Sequence, residues 1–430
     1  MWHGYPERCF LPVWSDPIFR SHVRHKTGSM MQFSPNVERL KPSATIAVST
    51  LAKQLAAEGR DILNLSGGEP DFDTPAFISE AGIDGIRAGR TRYTPPAGLP
   101  ELRRAIAARL SERAGRELDW NGVVVTTGAK QALFNTIFTL FGPGDEVLIA
   151  APYWTTYPDL VNIARAVPKT VFGAESRDFK VTPQELEAAL SENTCGLVIN
   201  TPSNPTGTVY SLEELEKIAV WARDRDIWLI CDEIYGNIYH DADRDDAPGI
   251  LELPESALGD FVLIDGVSKS YAMTGWRLGF SYTSAEVSQT FTALQSQMTS
   301  NVATPSQVAA LEAFTNRDEA RASIAKMGVA FTRRRDLAAA RMDELLPGVQ
   351  YIRPSGAFYL YFRVDCFFDD EIQDGSAWCT RLLDEQGVAL VPGAAFGDDR
   401  WVRMSFAVSD EVLEQALSRI AAMAAVTAAV

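Results

Sequence analysis

The sequence lacks the features that mark membrane, secreted or nucleic-acid-binding proteins. It has no apolar run near the roughly 20 residues that a membrane-spanning helix needs. Its five cysteines, from Cys9 to Cys379, form no CxxC pair, so neither a disulfide framework nor a zinc site is expected. Basic residues are scattered in a chain of net charge −16, which argues against a nucleic-acid surface. We therefore expect a soluble protein of a reducing compartment, the cytoplasm, with neither a nucleic-acid nor a membrane partner.

The first 32 residues also lack a helical or strand period, although they hold three of the four histidines. They contain no apolar core of a secretory signal. We interpret residues 1–32 as a disordered extension or as the product of a mis-assigned start codon, because Met30 and Met31 come just before the organised sequence. A functional tail is the alternative interpretation.

Short apolar runs then alternate with amphipathic helical patterns. The predicted strands of this region are Val123–Thr127, Glu146–Ala150, Cys195–Asn200, Trp228–Glu233 and Phe261–Val267. Because these runs are apolar on both faces, they are typical of a mostly parallel sheet that is covered by helices on both sides. The sequence thus predicts an α/β fold.

Beyond Ser284 the pattern becomes helical, and three further strands and a final helix follow. Such a cluster predicts a second, smaller α+β domain. We divide the chain into the extension 1–32, an N-terminal segment 33–72 that joins the small domain, a large domain 73–318 and a C-terminal small domain 319–430.

Distinctive residues follow the first two predicted strands, where the loops of a parallel sheet converge. Gly128, Ala129 and Lys130 open a helix, and the free N–H groups of a helix N-terminus form an anion site. An ordinary turn is the alternative for this tripeptide. Trp154 could stack on a flat ring, although core packing is the commonest role of a tryptophan.

The later strands bring polar groups to the same edge. Asp232 lies inside a strand that should be buried, where a carboxylate needs a cation, and a protonated pyridine nitrogen would supply it. Tyr235 could donate its hydroxyl to the same ring, and Asn204 presents its amide from a turn. Lys269 follows the last predicted strand, where its amine could form a Schiff base, and Arg277 could hold a phosphate. The alternative for this segment is a surface lysine and arginine that flank a glycine turn. Together these groups describe a pyridoxal phosphate site.

Six motifs follow one another in a specific order: GAKQALFN, PYWTTYP, NPTG, CDEIY, SKSYAMTGWRLG and WVRMSFA. This order resembles the class I aminotransferases of fold type I, and within them the bacterial aspartate aminotransferases of the aspartate/prephenate type. The resemblance runs from about Val37 to the C-terminus. It implies a homodimeric enzyme that transfers amino groups between amino acids and 2-oxo acids through pyridoxal 5'-phosphate.

The resemblance also implies roles for individual residues. Lys269 would form the Schiff base and move the substrate α-proton, and Asp232 would pair with the pyridine nitrogen. Asn204 and Tyr235 would hold the ring hydroxyl oxygen, and Trp154 would stack on the ring. The phosphate ligands would be Gly128, Ala129, Lys130, Ser268 and Arg277, with Tyr93 reaching in from the partner subunit.

For the substrate, the resemblance implies binding by Gly68, Trp154, Asn204 and Arg403, with the guanidinium gripping the α-carboxylate. Lys41 and Thr45 lie in the KPSAT segment, which contributes side-chain recognition in this branch. A lysine there favours a dicarboxylic substrate such as aspartate or glutamate, with prephenate as a larger acceptor. The alternative is that Lys41 merely begins a helix.

Three other functions remain open from the sequence. Phe138, Phe358 and Tyr359 would admit aromatic side chains, as in an aromatic or broad-specificity aminotransferase, unless they belong to the core. A carbon–sulfur β-lyase of the same fold would use the same lysine and aspartate. A non-catalytic regulator would need a DNA-binding domain, which 32 extra residues without a helix-turn-helix pattern do not supply.

Overall fold

The computed structural model of the chain describes residues 43–240 and 244–427. Lys41 and the extension 1–32 lie outside the described residues. The helices are α1 (Ala44–Ala57), α2 (Ala76–Arg87), α3 (Pro100–Ala114), α4 (Ala129–Leu140), α5 (Thr156–Ile163), α6 (Pro183–Ala189), α7 (Leu212–Arg223), α8 (Val267–Ser270), α9 (Ala285–Met298), α10 (Thr304–Thr315), α11 (Arg317–Leu345), α12 (Gly375–Gln386) and α13 (Asp410–Thr427). None of these helices is both long and apolar enough to cross a membrane.

The strands of the described residues form three sheets. They are β1 (Leu63–Asn64), β2 (Val123–Thr126), β3 (Glu146–Ala151), β4 (Val167–Phe172), β5 (Thr194–Asn200), β6 (Trp228–Asp232), β7 (Phe261–Gly266), β8 (Gly279–Tyr282), β9 (Tyr351–Ile352), β10 (Tyr359–Arg363), β11 (Val388–Ala389), β12 (Val391–Pro392) and β13 (Trp401–Ser405). The largest sheet has the order β2-β8-β7-β6-β5-β3-β4.

This seven-stranded sheet confirms the predicted α/β fold. Six strands point the same way, and β8 alone runs antiparallel to its neighbours β2 and β7. The apolar run of β2 is buried along its whole length, as a sheet with helices on both faces requires. The carboxyl ends of β2, β3, β5, β6 and β7 therefore meet at one edge, which is where open α/β sheets bind ligands.

Two strands of this sheet were not among the predicted ones. Strand β4 lies at the edge of the sheet and is mostly half-buried or exposed, so its sequence, VPKTVF, carries no continuous apolar run. Strand β8 has only four residues and follows the glycine-containing loop after Lys269. Neither position gives the long apolar pattern that indicates a buried strand.

The C-terminal part contains the antiparallel sheet β12-β13-β10-β9, against which α12 packs, and α13 packs on α11 and α12. Strand β1 pairs in parallel with β11, with Leu63 opposite Val388, so the N-terminal segment contacts the C-terminal part. A continuous apolar core fills this region and includes Phe358, Trp378 and Phe406. The exact domain boundaries given above stay a prediction.

Candidate active site

A cavity of about 480 Å³ opens at the carboxyl edge of the large sheet, between that sheet, α1 and the C-terminal strands. Most residues predicted for the site line it: Thr45, Gly68, Ala129, Lys130, Trp154, Asn204, Asp232, Tyr235, Ser268, Lys269, Arg277 and Arg403. The parallel strands explain this convergence, because each loop leaves the sheet on the same side.

Lys269 lies in the short helix α8, directly after β7, and its Nζ donates a hydrogen bond to the Gly68 carbonyl oxygen. Burial lowers the pKa of this amine to about 8; the negative charge of Glu69 opposes this effect, and the positive charge of Arg403 adds to it. A lysine with such a pKa is partly neutral at mildly alkaline pH, so it can act as a nucleophile and as a base.

Asp232 is the last residue of β6 and is only 2% exposed. Its carboxylate accepts hydrogen bonds from the Tyr157 hydroxyl at 2.7 Å and from the Ile234 backbone N–H at 3.2 Å. Burial raises its pKa to about 6. No described lysine or arginine forms an ion pair with it, so a cation bound in the cavity would stabilise its ionised form.

The sequence analysis missed two residues that hold Asp232 and Asn204 in place through hydrogen bonds. Tyr157, on α5, is 1% exposed and is the hydroxyl donor to Asp232. Asn200, at the end of β5, donates its amide to the Asp232 carbonyl at 2.8 Å and accepts the Asn204 backbone N–H at 2.7 Å. Tyr157 lies inside the recognised motif PYWTTYP, at the start of a helix, and Asn200 is the last residue of the predicted strand Cys195–Asn200. These positions were the available signal.

Arg403, in β13, is 2% exposed and has no carboxylate partner among the described residues. Its Nη1 donates to the Asn204 side-chain oxygen at 2.9 Å and its Nη2 to the Ser66 carbonyl at 2.7 Å. Its Nε is buried without a hydrogen-bond partner, and the guanidinium lies 4.3 Å from the Tyr359 ring centroid. Burial lowers the pKa of Arg403. A carboxylate in the cavity would meet this unpaired charge.

The start of α4 forms a cradle for an anion. Gly128 has a φ of +75°, and a Cβ there would lie 2.5 Å from Nη2 of Arg277, so a glycine is needed for the guanidinium to approach the helix N-terminus. Arg277 itself is exposed and donates to the Thr274 carbonyl at 2.9 Å. Ser268 is buried beside them, at 7% exposure. A guanidinium and helix N–H groups together suit a phosphate.

Comparison with known proteins agrees with this geometry. Residues 60–420 match the family described as Aminotransferase class I and II. The chain belongs to this family. An aspartate/prephenate aminotransferase from Cereibacter sphaeroides is 42% identical over 92% of this chain and 99% of its own length. The structure of an aspartate aminotransferase from Thermus thermophilus with maleate has a TM-score of 0.85 at 38% identity, covering 92% of this chain and 100% of that one.

This aminotransferase therefore has fold type I and depends on pyridoxal 5'-phosphate, as class I aminotransferases do. The described residues fit the cofactor. The cradle at Gly128 suits its phosphate, Asp232 suits a protonated ring nitrogen, and Lys269 suits its aldehyde.

Of three further predicted site residues, Lys130 and Thr45 line the cavity and Tyr93 does not. Lys130 lies with its Nζ 5.0 Å from the Trp154 ring centroid. Tyr93 is 91% exposed and does not line the cavity of its own chain. Thr45 shares a hydrogen bond of 3.0 Å with Ser43 at the cavity mouth.

Of the three residues considered for an aromatic substrate, Phe138, Phe358 and Tyr359, only Tyr359 lines the cavity. Its hydroxyl lies 2.7 Å from that of Tyr235, and both side chains are buried. Phe358 is fully buried in the C-terminal core, and Phe138 stacks on Phe134 with centroids 5.2 Å apart. For Phe138 and Phe358, packing is the interpretation that fits their contacts.

Proposed function

We propose that this aminotransferase takes its amino group from a dicarboxylic amino acid, aspartate or glutamate, and passes it to a 2-oxo acid, with prephenate as a further acceptor. The observation that carries the proposal is one cavity that holds Lys269 together with two cations for two carboxylates, the buried guanidinium of Arg403 and the ammonium of Lys53. The relatives from Cereibacter sphaeroides and Thermus thermophilus are named aspartate/prephenate aminotransferases, which supports aspartate and prephenate among these substrates.

We assign the chemistry to residues as follows. Pyridoxal 5'-phosphate, when bound, would supply an electron sink for the substrate Cα as that carbon loses its proton. Lys269 would hold the cofactor, and its neutral amine would take the α-proton when it is free. Asp232, held in place by Tyr157, would keep a positive charge on the ring nitrogen. Asn204 and Tyr235 would donate hydrogen bonds to the ring oxygen.

Other residues of the same cavity are assigned to the cofactor ring, its phosphate and the substrate α-carboxylate. Trp154 would stack on the cofactor ring, and the proposed phosphate ligands are Gly128, Ala129, Lys130, Ser268 and Arg277. Arg403 binds the substrate α-carboxylate through its planar fork, and the Gly68 backbone and the Asn204 amide complete that subsite.

A second carboxylate needs a second cation. Lys53, on α1, lines the cavity and has no assigned role toward the cofactor, so its ammonium is available for the distal carboxylate of aspartate or glutamate. Thr45 adds a hydroxyl at the same wall. Lys41 remains proposed for this role, although it lies outside the described residues.

We also propose a homodimer in which Tyr93 of one subunit reaches the phosphate of the other. Its 91% exposure and its absence from the cavity of its own chain support this proposal, because they leave the side chain free to contact a second copy. Sedimentation of the active protein checks this proposal, which a fully active monomer would contradict.

The deciding experiment follows the absorbance of the cofactor-loaded protein. Adding L-aspartate should convert the visible band of the bound cofactor to that of its amino form, and 2-oxoglutarate should restore it. Glutamate should act alike, whereas alanine, which lacks the distal carboxylate, should require a concentration roughly a hundredfold higher, as expected for about 3 kcal/mol of lost charge-assisted contacts.

The other functions give different results in the same assay. A response confined to aromatic amino acids would keep the fold and Lys269 but replace the substrate. Release of pyruvate from cystathionine without any added 2-oxo acid would identify a carbon–sulfur β-lyase.

A further inference from the structure

Two buried tyrosine hydroxyls meet where the large sheet contacts the C-terminal strands. Tyr235 follows β6 and is 4% exposed, and Tyr359 begins β10 and is fully buried. Their hydroxyl oxygens lie 2.7 Å apart, and both residues line the cavity. The Tyr235 ring packs edge-on against the rings of Phe358 and Tyr359, with centroids 5.5 and 5.7 Å away. These contacts hold the two side chains in one arrangement.

Tyr359 also contacts the arginine proposed for the substrate. The guanidinium of Arg403 lies 4.3 Å from the centroid of the Tyr359 ring. A Cβ at Gly68 would lie 3.1 Å from the Tyr359 hydroxyl oxygen, so the glycine leaves room for this hydroxyl. Among the described residues, Tyr235 is its hydrogen-bond partner. Tyr359 therefore connects the guanidinium, through its ring, with Tyr235, through its hydroxyl.

The charges around this pair favour Tyr359 as the donor. Burial raises the pKa of both hydroxyls, that of Tyr235 well above its usual value. Arg403 lowers the pKa of both but lies against the Tyr359 ring, whereas the negative charge of Asp232 also raises the pKa of Tyr235. The hydroxyl that loses its proton less readily is the better acceptor. Since a tyrosine has a single hydroxyl proton, a Tyr235 that accepts from Tyr359 keeps its own proton for a group in the cavity.

We propose that Tyr359 is a positioning residue for the cofactor, because its hydroxyl donates to Tyr235 and so directs the proton of Tyr235 toward the cofactor ring oxygen. This inference rests on the proposed role of Tyr235 as a donor to that oxygen. Hydrogen bonds in a chain polarise one another, so the bond from Tyr359 strengthens the bond from Tyr235. That bond stabilises negative charge on the ring oxygen, and it therefore lowers the pH at which the cofactor bound to Lys269 loses its proton.

The test is a pH titration of the visible absorbance of the full-length, cofactor-loaded protein without substrate. Tyr359→Phe removes the hydroxyl and keeps the ring that lies against Arg403. It should raise the midpoint of the titration by about 0.3 to 0.5 pH unit, a roughly twofold to threefold change in the acid dissociation constant, because the cooperative part of a charge-assisted hydrogen bond is lost. An unchanged or lowered midpoint would overturn the proposal.

A double variant separates this proposal from the role of Tyr235. Tyr235→Phe removes the donor itself and should raise the midpoint by about one unit or more. Adding Tyr359→Phe should then give no further shift, because the bond that Tyr359 strengthens is already absent. An unmoved midpoint in Tyr235→Phe would contradict the donor role of Tyr235. A shift from Tyr359→Phe that persists in the double variant would contradict only the route proposed for Tyr359.

Tyr361 offers a matched control in the same strand. It is also fully buried, but its hydroxyl donates to the Asp398 carbonyl at 3.5 Å, and it does not line the cavity. Tyr361→Phe should leave the midpoint unchanged. Equal shifts in Tyr361→Phe and Tyr359→Phe would mean that the loss of any buried hydroxyl from β10 is the cause, which would overturn the proposal.

Discussion

Two buried arginines of this aminotransferase have opposite surroundings. Arg334, on α11, is 7% exposed and binds Asp71 with two hydrogen bonds of 2.7 and 2.8 Å. Arg403 is 2% exposed and has only the neutral oxygens of Asn204 and Ser66 as acceptors. Arg334 ties the long helix to the segment that leads from Gly68, whereas Arg403 faces the cavity.

This difference separates a buried charge that stabilises the fold, Arg334, from one that is available to bind a ligand, Arg403. A buried ion is costly unless an opposite charge compensates it, and Asp71 provides that compensation for Arg334. Arg403 has no such compensating carboxylate in the described chain, so its buried charge destabilises the folded protein until an anion binds. The same distinction separates Arg113, paired with Glu233, from the unpaired amine of Lys269.

The largest effect should come from the unpaired arginine. Arg403→Met should lower kcat/KM for aspartate by about 10²- to 10³-fold, because it removes a bidentate, charge-assisted contact worth about 3 to 4 kcal/mol. Arg403→Lys should recover only part of this loss, since an ammonium lacks the planar fork. Steady-state kinetics with aspartate checks both. Arg403→Met should not lower the Tm of the cofactor-free protein. A clear drop in Tm would mean that Arg403, like Arg334, stabilises the fold.

The paired arginine should show the reverse behaviour. Arg334→Met leaves Asp71 without its partner and should cost about 2 kcal/mol, or a Tm lower by roughly 3 to 5 °C, with kcat/KM changed less than tenfold. Combining it with Asp71→Asn should restore part of the stability, because no carboxylate is then left unpaired. Thermal unfolding of the three variants measures this. A loss of activity comparable to that of Arg403→Met would show that Arg334 does more than hold the fold together.

The sequence predicts well what depends on local pattern. Apolar runs located five strands of the large sheet, and Asp232 and Lys269 were recognised because charged residues at the end of a buried strand are unusual. The substrate arginine, by contrast, came only from the family resemblance. Nothing in the sequence WVRMSFA distinguishes an unpaired arginine from a paired one.

Long-range partners could not be predicted. Arg334 and Asp71 are 263 residues apart, and Tyr157 and Asp232 are 75 apart, so neither contact leaves a signal in a local window. The edge strand β4 was missed for a related reason, since its exposure to solvent removes the apolar pattern that marks a buried strand.

The smallest predicted effect concerns the amine of Lys269. Its pKa is lowered to about 8 in the folded protein, so at pH 7 the folded state carries the full cost of burying its charge. Between pH 8 and the roughly 10.4 of an unfolded lysine, the unfolded state binds more protons, and this cost disappears as the pH rises. Lys269→Met should therefore raise the Tm of the cofactor-free protein by about 1 to 2 °C at pH 7 and by less at pH 10. The exposed Lys326→Met is the control, and an equal shift in both variants at both pH values would mean that burial of the charge is not the cause.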